Sequence, residues 1–232
     1  RFDTFCTKLR EIGLKCPKLK KIRGNFIGYS QTDLSKLFGQ CQELEDLYIY
    51  GVDCLSKNST PIQPMKNLKK LKIFFCSVSD ELFDELTTFA PNLKSLDLYS
   101  SYSSFDNSIH YLSKLKSLKS LMLTNGTEDF HEIEDSAVIQ ILDGCQCIQK
   151  LDICFTSKIT TKTIEKLIEI AINRPKERIT FSGYTKESMK KYSKLLKRLT
   201  FPENLFIEFN GINIRDLKKN PNKEVIEKTN RM

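Results

Sequence analysis

Two histidines, His110 and His131, are all that the 232 residues contain. A histidine-bearing zinc centre or a serine-type triad depends on a histidine held by a positioned partner. His131 instead sits among Glu128, Asp129, Glu132, Glu134 and Asp135, in what reads as a solvated acidic loop. The spacings GxSxG and HExxH and the glycine-rich phosphate loop are all missing. Their absence removes the common hydrolase, metalloprotease and nucleotide-binding signatures. The expectation is therefore no enzyme, no cofactor and no metal. No apolar run approaches the ~20 residues that cross a bilayer, so a membrane is not an expected partner. The start shows no secretory apolar segment either.

Repetition is what the sequence does have. The pattern L-x-x-L-x-L appears in CPKLKKI (Leu19, Ile22), CQELEDLYI (Leu44, Leu47, Ile49) and KNLKKLKI (Leu68, Leu71, Ile73). It returns in PNLKSLDL (Leu93, Leu96, Leu98), KSLKSLML (Leu118, Leu121, Leu123) and QCIQKLDI (Ile148, Leu151, Ile153). Weaker copies are ERITF (Ile179, Phe181) and LFIEF (Leu205, Ile207, Phe209). One strand position per copy falls at 22, 47, 71, 96, 121, 151 and 179, in steps of 25, 24, 25, 25, 30 and 28. Apart from the step of 30, this is the leucine-rich repeat period.

After each strand the apolar spacing changes to a helical one. Leu82, Phe83, Leu86 and Phe89 predict a helix behind an N-cap at Ser79, and Ile109 with Leu112 a short one. Further helices are predicted at about 31–40, 135–143 (Val138, Ile141, Leu142), 158–172 (Ile164, Leu167, Ile168, Ala171) and 185–199. A strand–helix unit this short cannot bury its own apolar face, so copies must stack into one solenoid. Residues 1–211 read as one domain of about seven to eight repeats, and 212–232 as a polar tail or thin cap. Residues 1–15 read as a helix whose strand is missing, which predicts a further segment before Arg1.

The cysteines are 6, 16, 41, 54, 76, 145, 147 and 154. Cys16, Cys41 and Cys145 each precede a repeat leucine or isoleucine by three residues, a phase held elsewhere by Met65 and Ala90. A slot that accepts Cys, Met or Ala is small, buried and apolar, not half of a bridge. All eight are expected to be reduced, as in cytoplasm or nucleus. Net charge is +8, but lysines are scattered through nearly every repeat and mixed with acids. A nucleic-acid footprint would cluster, so no nucleic acid is expected.

Alternation along each strand sends leucines into the core and their neighbours outward. One outward row is Asp46, Lys70, Ser95, Ser120, Lys150, Arg178. The second is Arg23, Tyr48, Lys72, Asp97, Met122, Asp152, Thr180, and the third Tyr50, Phe74, Tyr99, Thr124, Cys154, Ser182. Neighbouring aromatics with a few charges match the composition of protein-interface hot spots. Tyr48, Tyr50, Lys70, Lys72, Phe74, Asp97, Tyr99 and Met122 are the candidate partner-binding set. The competing explanation is that the rings pack on one another and stabilise the sheet.

Two segments carry a closer resemblance. In LKIFFCSVSDELFDEL the strand is followed by Cys76, then Val78, Ser79, Asp80 and Leu82. In LDICFTSKITTKTIEKL, Thr156 takes the Cys place and Thr161 the Asp place, with Ile159, Thr160 and Ile164 around them. With CPKL and CQEL, these resemble the cysteine-containing leucine-rich repeats of F-box/leucine-rich repeat proteins. The resemblance implies an α/β, ribonuclease-inhibitor-like horseshoe with a concave parallel sheet and convex helices. It implies the substrate-recognition part of an F-box-type ubiquitin ligase receptor, binding a target protein on the concave face. The sequence departs from that family in showing no F-box, so a ligase adaptor would be reached only through a segment absent from this chain. The alternatives are a stand-alone repeat scaffold or inhibitor, and a secreted recognition repeat protein.

Overall fold

The first leucine of each repeat makes a turn, and the next two make a strand. Leu44, Leu68, Leu93, Leu118 and Ile148 donate their backbone N–H to the carbonyl three residues earlier, at 2.9–3.1 Å, closing a β-turn in each repeat. The strands that follow are β1 (Lys21–Asn25), β2 (Asp46–Tyr50), β3 (Lys70–Cys76) and β4 (Ser95–Ser100). They continue as β5 (Ser120–Asn125), β6 (Lys150–Ile153), β7 (Ile179–Gly183) and β8 (Leu205–Phe209). The computed structural model describes residues 11, 14–25, 40–51, 64–76, 80–100, 109–125, 133–153, 158–183 and 198–219.

These strands lie side by side in chain order, all parallel from β1 to β8. Leu47, Leu71, Leu96, Leu121, Leu151, Phe181 and Ile207 fall opposite one another, each at most 2% exposed. They form one hydrophobic core with the residues of the connecting helices. The helices are α1 (Asp80–Phe89), a 3₁₀ helix (Ile109–Lys114), α2 (Asp135–Gly144) and α3 (Thr161–Asn173). Val138, Ile141 and Leu142 are buried from α2, as their spacing predicts, and Ile164, Leu167 and Ala171 from α3. Ile168 is only half-buried, and Thr163, in the first turn, is fully buried as well. The predicted cap at Ser79 and nearly all of the helices predicted at 31–40 and 185–199 lie outside the described residues.

The register at β7 differs from the sequence expectation. Leu151 pairs with Phe181, not Ile179, so the steps from Leu121 to Leu151 and from Leu151 to Phe181 are both 30 residues. Ile179 and Phe181 are both apolar and two apart, and a shift of two keeps both facing the core. Hydrophobic pattern alone therefore cannot choose between them. The outward rows move accordingly: Thr180 follows Lys150, and Ser182 follows Asp152. Arg178 leaves its row, and Cys154 lies outside the described residues.

After β8, Asn210 and Gly211 take positive φ of 50° and 76°. This two-residue turn suits an Asn-Gly pair and returns the chain as β9 (Ile212–Asn213), antiparallel to β8. Helix α4 (Ile214–Lys219) follows. Ile212 and Ile214 join the common core, so the described part of this end is packed.

Polar side chains tie one repeat's turn to the next. Asn67 Nδ2 donates to Gln42 O and Asn92 Nδ2 to Lys66 O, at 3.1 and 2.9 Å. Asn204 Nδ2 reaches the carbonyls of Ala171, Arg174 and Glu177 at 2.8–3.0 Å. Asp135, at the start of α2, accepts from Thr160 N, Thr160 Oγ1 and Thr163 Oγ1 at 2.9, 2.5 and 2.6 Å. Thr160 is also the N-cap of α3 and accepts from Lys162 N. One carboxylate thus fastens two successive helices. Burial pushes the Asp135 pKa up, but the hydrogen bonds from the two threonines outweigh it and hold the group below the ordinary carboxylate value. A depressed native pKa means the carboxylate stabilises the fold above the unfolded pKa of about 4, and that this is lost as pH falls through the native value. Asp135→Ala is expected to cost about 1.5–3 kcal/mol at pH 7, because buried Thr163 Oγ1 loses its charged acceptor. Chemical denaturation at pH 7 and pH 3 checks this. The gap between wild type and variant should narrow at pH 3, and an unchanged gap would contradict the assignment.

The cysteine slot holds for Cys41 and Cys145, both buried, while Cys16 is exposed, contrary to the expectation. Its turn is the outermost one described. Burial pushes the Cys145 thiol up to about 12, only partly offset by Lys116, and its Sγ donates to Leu112 O at 3.2 Å. Burial, with Cys16 nearby, also raises Cys41. Cys16, Cys41, Cys145 and Cys147 are free thiols. Since the thiolate is the reactive form, Cys145 should alkylate on the order of 10³-fold more slowly than an ordinary thiol at pH 8. Peptide mapping after brief iodoacetamide treatment should find Cys16 and Cys147 modified, and Cys41 and Cys145 untouched until denaturant is added.

Candidate partner-binding face

The pleat that buries the leucines places their neighbours on the opposite face of the same strands. On β2, β3 and β4 this face carries Tyr48, Tyr50, Phe74 and Tyr99, all half-buried. Tyr50, Phe74 and Tyr99 lie opposite one another in register, and Tyr48 lies opposite Lys72. Phe74 stacks on Tyr48 with ring centroids 5.3 Å apart and planes 24° from parallel. On its other side it stacks on Tyr99 at 6.2 Å and 9°. Parallel strands spaced by about 4.8 Å leave bulky rings little alternative to this overlap. Each such pair contributes about 0.5–1.5 kcal/mol beyond its buried area. Stacking therefore occurs, and it also leaves a continuous strip of aromatic surface across three strands.

The charges beside the strip are arranged unequally. Asp97 belongs to an outward row, yet it is buried at 6% exposure. A carboxylate in that position needs a partner, and Lys72 on the neighbouring strand supplies a salt bridge while its own side chain stays 39% exposed. Lys70 is exposed, and Met122 lies half-buried opposite Asp97 on β5. The structure thus brings the eight candidate residues together on one face of β2–β5. Asp97 acts there by fixing Lys72. The groups presented are the outer edges of a ring stack, an anchored ammonium and an exposed one, which are means of holding a surface.

A profile of the leucine-rich repeats of the FBD-associated F-box protein At5g56370 matches residues 26–193. The chain belongs to this F-box-associated leucine-rich repeat family. The match contains all of β2 to β7 and every candidate contact residue. No curated protein matches the chain. Repeats of this family form protein-interaction domains, and such domains are typically non-enzymatic.

A second aromatic feature escaped the sequence reading of this family member. On β8 the ring of Phe206 lies under the Arg178 guanidinium, 4.1 Å from its centroid, with Arg215 at 5.6 Å. Arg215 also donates to the carbonyls of Pro202 and Leu205, so it ties α4 to the turn before β8. Phe206 pairs in register with Thr180, on the outward face. Arg178 lies one position ahead of the Ile179–Leu205 pair, and its reach over Phe206 is a side-chain contact that strand alternation does not reveal.

Proposed function

We propose that this chain is the target-recognition domain of an F-box-type ubiquitin ligase receptor, and that the target docks on the open face of β2–β5. The observation that carries the docking surface is the ring strip of Tyr48, Phe74 and Tyr99 beside the Asp97–Lys72 pair. The ligase role draws on family membership. In this reading the sheet curves as the concave side of a ribonuclease-inhibitor-like horseshoe. The target is a protein of cytoplasm or nucleus, and the ligase adaptor is reached through a segment outside these residues.

Co-purification of the protein from its native cells, probed for the small adaptor subunit of a cullin ligase, tests the ligase role. Recovery of the adaptor supports it. If the adaptor is absent at every salt concentration while other proteins are retained through Tyr48 and Phe74, the domain is a stand-alone scaffold.

A further inference from the structure

From the distribution of charge around the ring strip, we infer that the segment docking on β1–β4 is an acidic, extended stretch of a partner protein carrying an apolar or aromatic residue. This rests on the docking face proposed above and names what it takes. Three exposed cations line the face: Lys21 and Arg23 on β1, and Lys70 on β3. Its anions on these strands are less available, since Asp46 is half-buried and Asp97 is buried and held by Lys72. Asp46 lies in register between Lys21 and Lys70, and on β1–β4 the two acids Asp46 and Asp97 face four cations, Lys21, Arg23, Lys70 and Lys72. What faces solvent on this half of the sheet is positive.

The other half differs. On β6 to β8 the same face carries Lys150 against Asp152 and Glu208, with Arg178 placed over Phe206. The basic excess therefore coincides with the rings. The cations occupy the earlier register rows, and Tyr50, Phe74 and Tyr99 the last one. A ligand crossing the strands would meet positive charge along one side and the edges of the ring stack along the other. Four strands about 4.8 Å apart span ~14 Å, the length of four or five extended residues. Acidic side chains spaced along such a segment would answer Arg23 and Lys70, and an apolar one would lie along the outer edges of the Tyr48–Phe74–Tyr99 stack. Complementary charge chooses among partners and speeds encounter, while the buried rings hold.

Panning a random twelve-residue peptide display library on the folded chain tests this, alongside R23E/K70E and Y48A/F74A. Thermal melts show that the variants fold; Arg23 and Lys70 are exposed and should leave the melt unchanged. Peptides retained by the wild type should be enriched in Asp and Glu around an apolar residue. R23E/K70E should weaken a selected peptide at least tenfold and shift selection toward basic peptides. Raising salt from 50 to 300 mM should weaken wild-type binding several-fold. If retained peptides depend on Tyr48 and Phe74 but carry no acidic bias, the acidic class is wrong and the docking face stands. If no peptide is retained, or retention is unchanged in a folded Y48A/F74A, the face itself is not the docking surface. A labelled oligothymidylate bound by the wild type and lost in R23E/K70E would assign the charge to nucleic acid and overturn the proposal.

Discussion

Gly144→Ala is expected to destabilise the protein by about 3 kcal/mol, the upper part of the range for forcing atoms into a packed interior. Gly144 is the last residue of α2, and the 3₁₀ helix of the preceding repeat passes directly beneath it. A Cβ at this position would stand 2.5 Å from Ser113 Cβ, 2.7 Å from Ser113 C and nearer still to the Ser113 carbonyl oxygen. Two of those atoms are backbone, so no rotamer change relieves the overlap. Either α2 or the 3₁₀ helix must move, and both are fixed by Ile109, Leu112, Val138 and Ile141 in the same core. Lys116 Nζ also donates to the carbonyls of Ser113 and Gly144, at 3.1 and 3.3 Å, and would lose both distances at once. The expected drop in melting temperature is about 6–12 °C for a chain of this size. A melt within 2 °C of wild type would mean that the two helices are not packed as described. Gly144→Ser should behave no better, because the added Cβ alone makes the clash.

Gly144 also shows where sequence reading stops. DGCQCI marks the end of a helix, and a glycine there suggests a cap. Its φ is not in the left-handed region, and its role is close approach to a neighbouring repeat. Spacing within one repeat holds no information about the surface of the next. The repeat period, by contrast, was fully legible. A leucine two residues from another must share its face, and a chain that repeats every 25 residues must stack. That argument placed β1 to β6 within a residue or two. It weakened at Ile179 and Phe181, where two apolar residues of equal parity leave the register undetermined.

The candidate site was legible in membership but not in energetics. Alternation alone put Tyr48, Phe74 and Tyr99 on one face. It could not show that Asp97, on the same face, would be buried and tied to Lys72. Burial of an outward residue depends on the bulk of its neighbours. Here those are Lys72 and Met122 across the two adjoining strands. Nor could it place Asp135. The acidic loop before α2 reads as solvated, yet its final carboxylate holds the start of α3 through two threonines. In both cases an acid that looked like surface charge is a structural acceptor.

Leu121→Ala is expected to cost about 2–5 kcal/mol and to do so unevenly along the sheet. Leu121 is fully buried on β5, opposite Leu96 and Leu151, in the middle of the ladder. Each strand pairs only with its neighbours in sequence, so any cooperation that the sheet carries between the two ends passes through β5. On one side stand β1–β4 with the ring strip; on the other, β6–β9 with the Asn-Gly hairpin and its buried Ile212 and Ile214. In a quasi-linear body a weak central interface lets the halves unfold separately. Hydrogen exchange should show protection falling most in β4–β6, and urea unfolding should broaden or split into two steps. The equivalent Ile22→Ala, at the half-buried edge strand β1, should cost about 1 kcal/mol or less and leave one transition, because less surface is lost there. If Leu121→Ala unfolds in one sharp step with uniform loss of protection, the coupling runs through the helices rather than the sheet. The ring strip would then be held by the body as a whole. If the transition splits, the β1–β4 half should lose its melt in step with its peptide binding, and the recognition face can be assigned to that half alone.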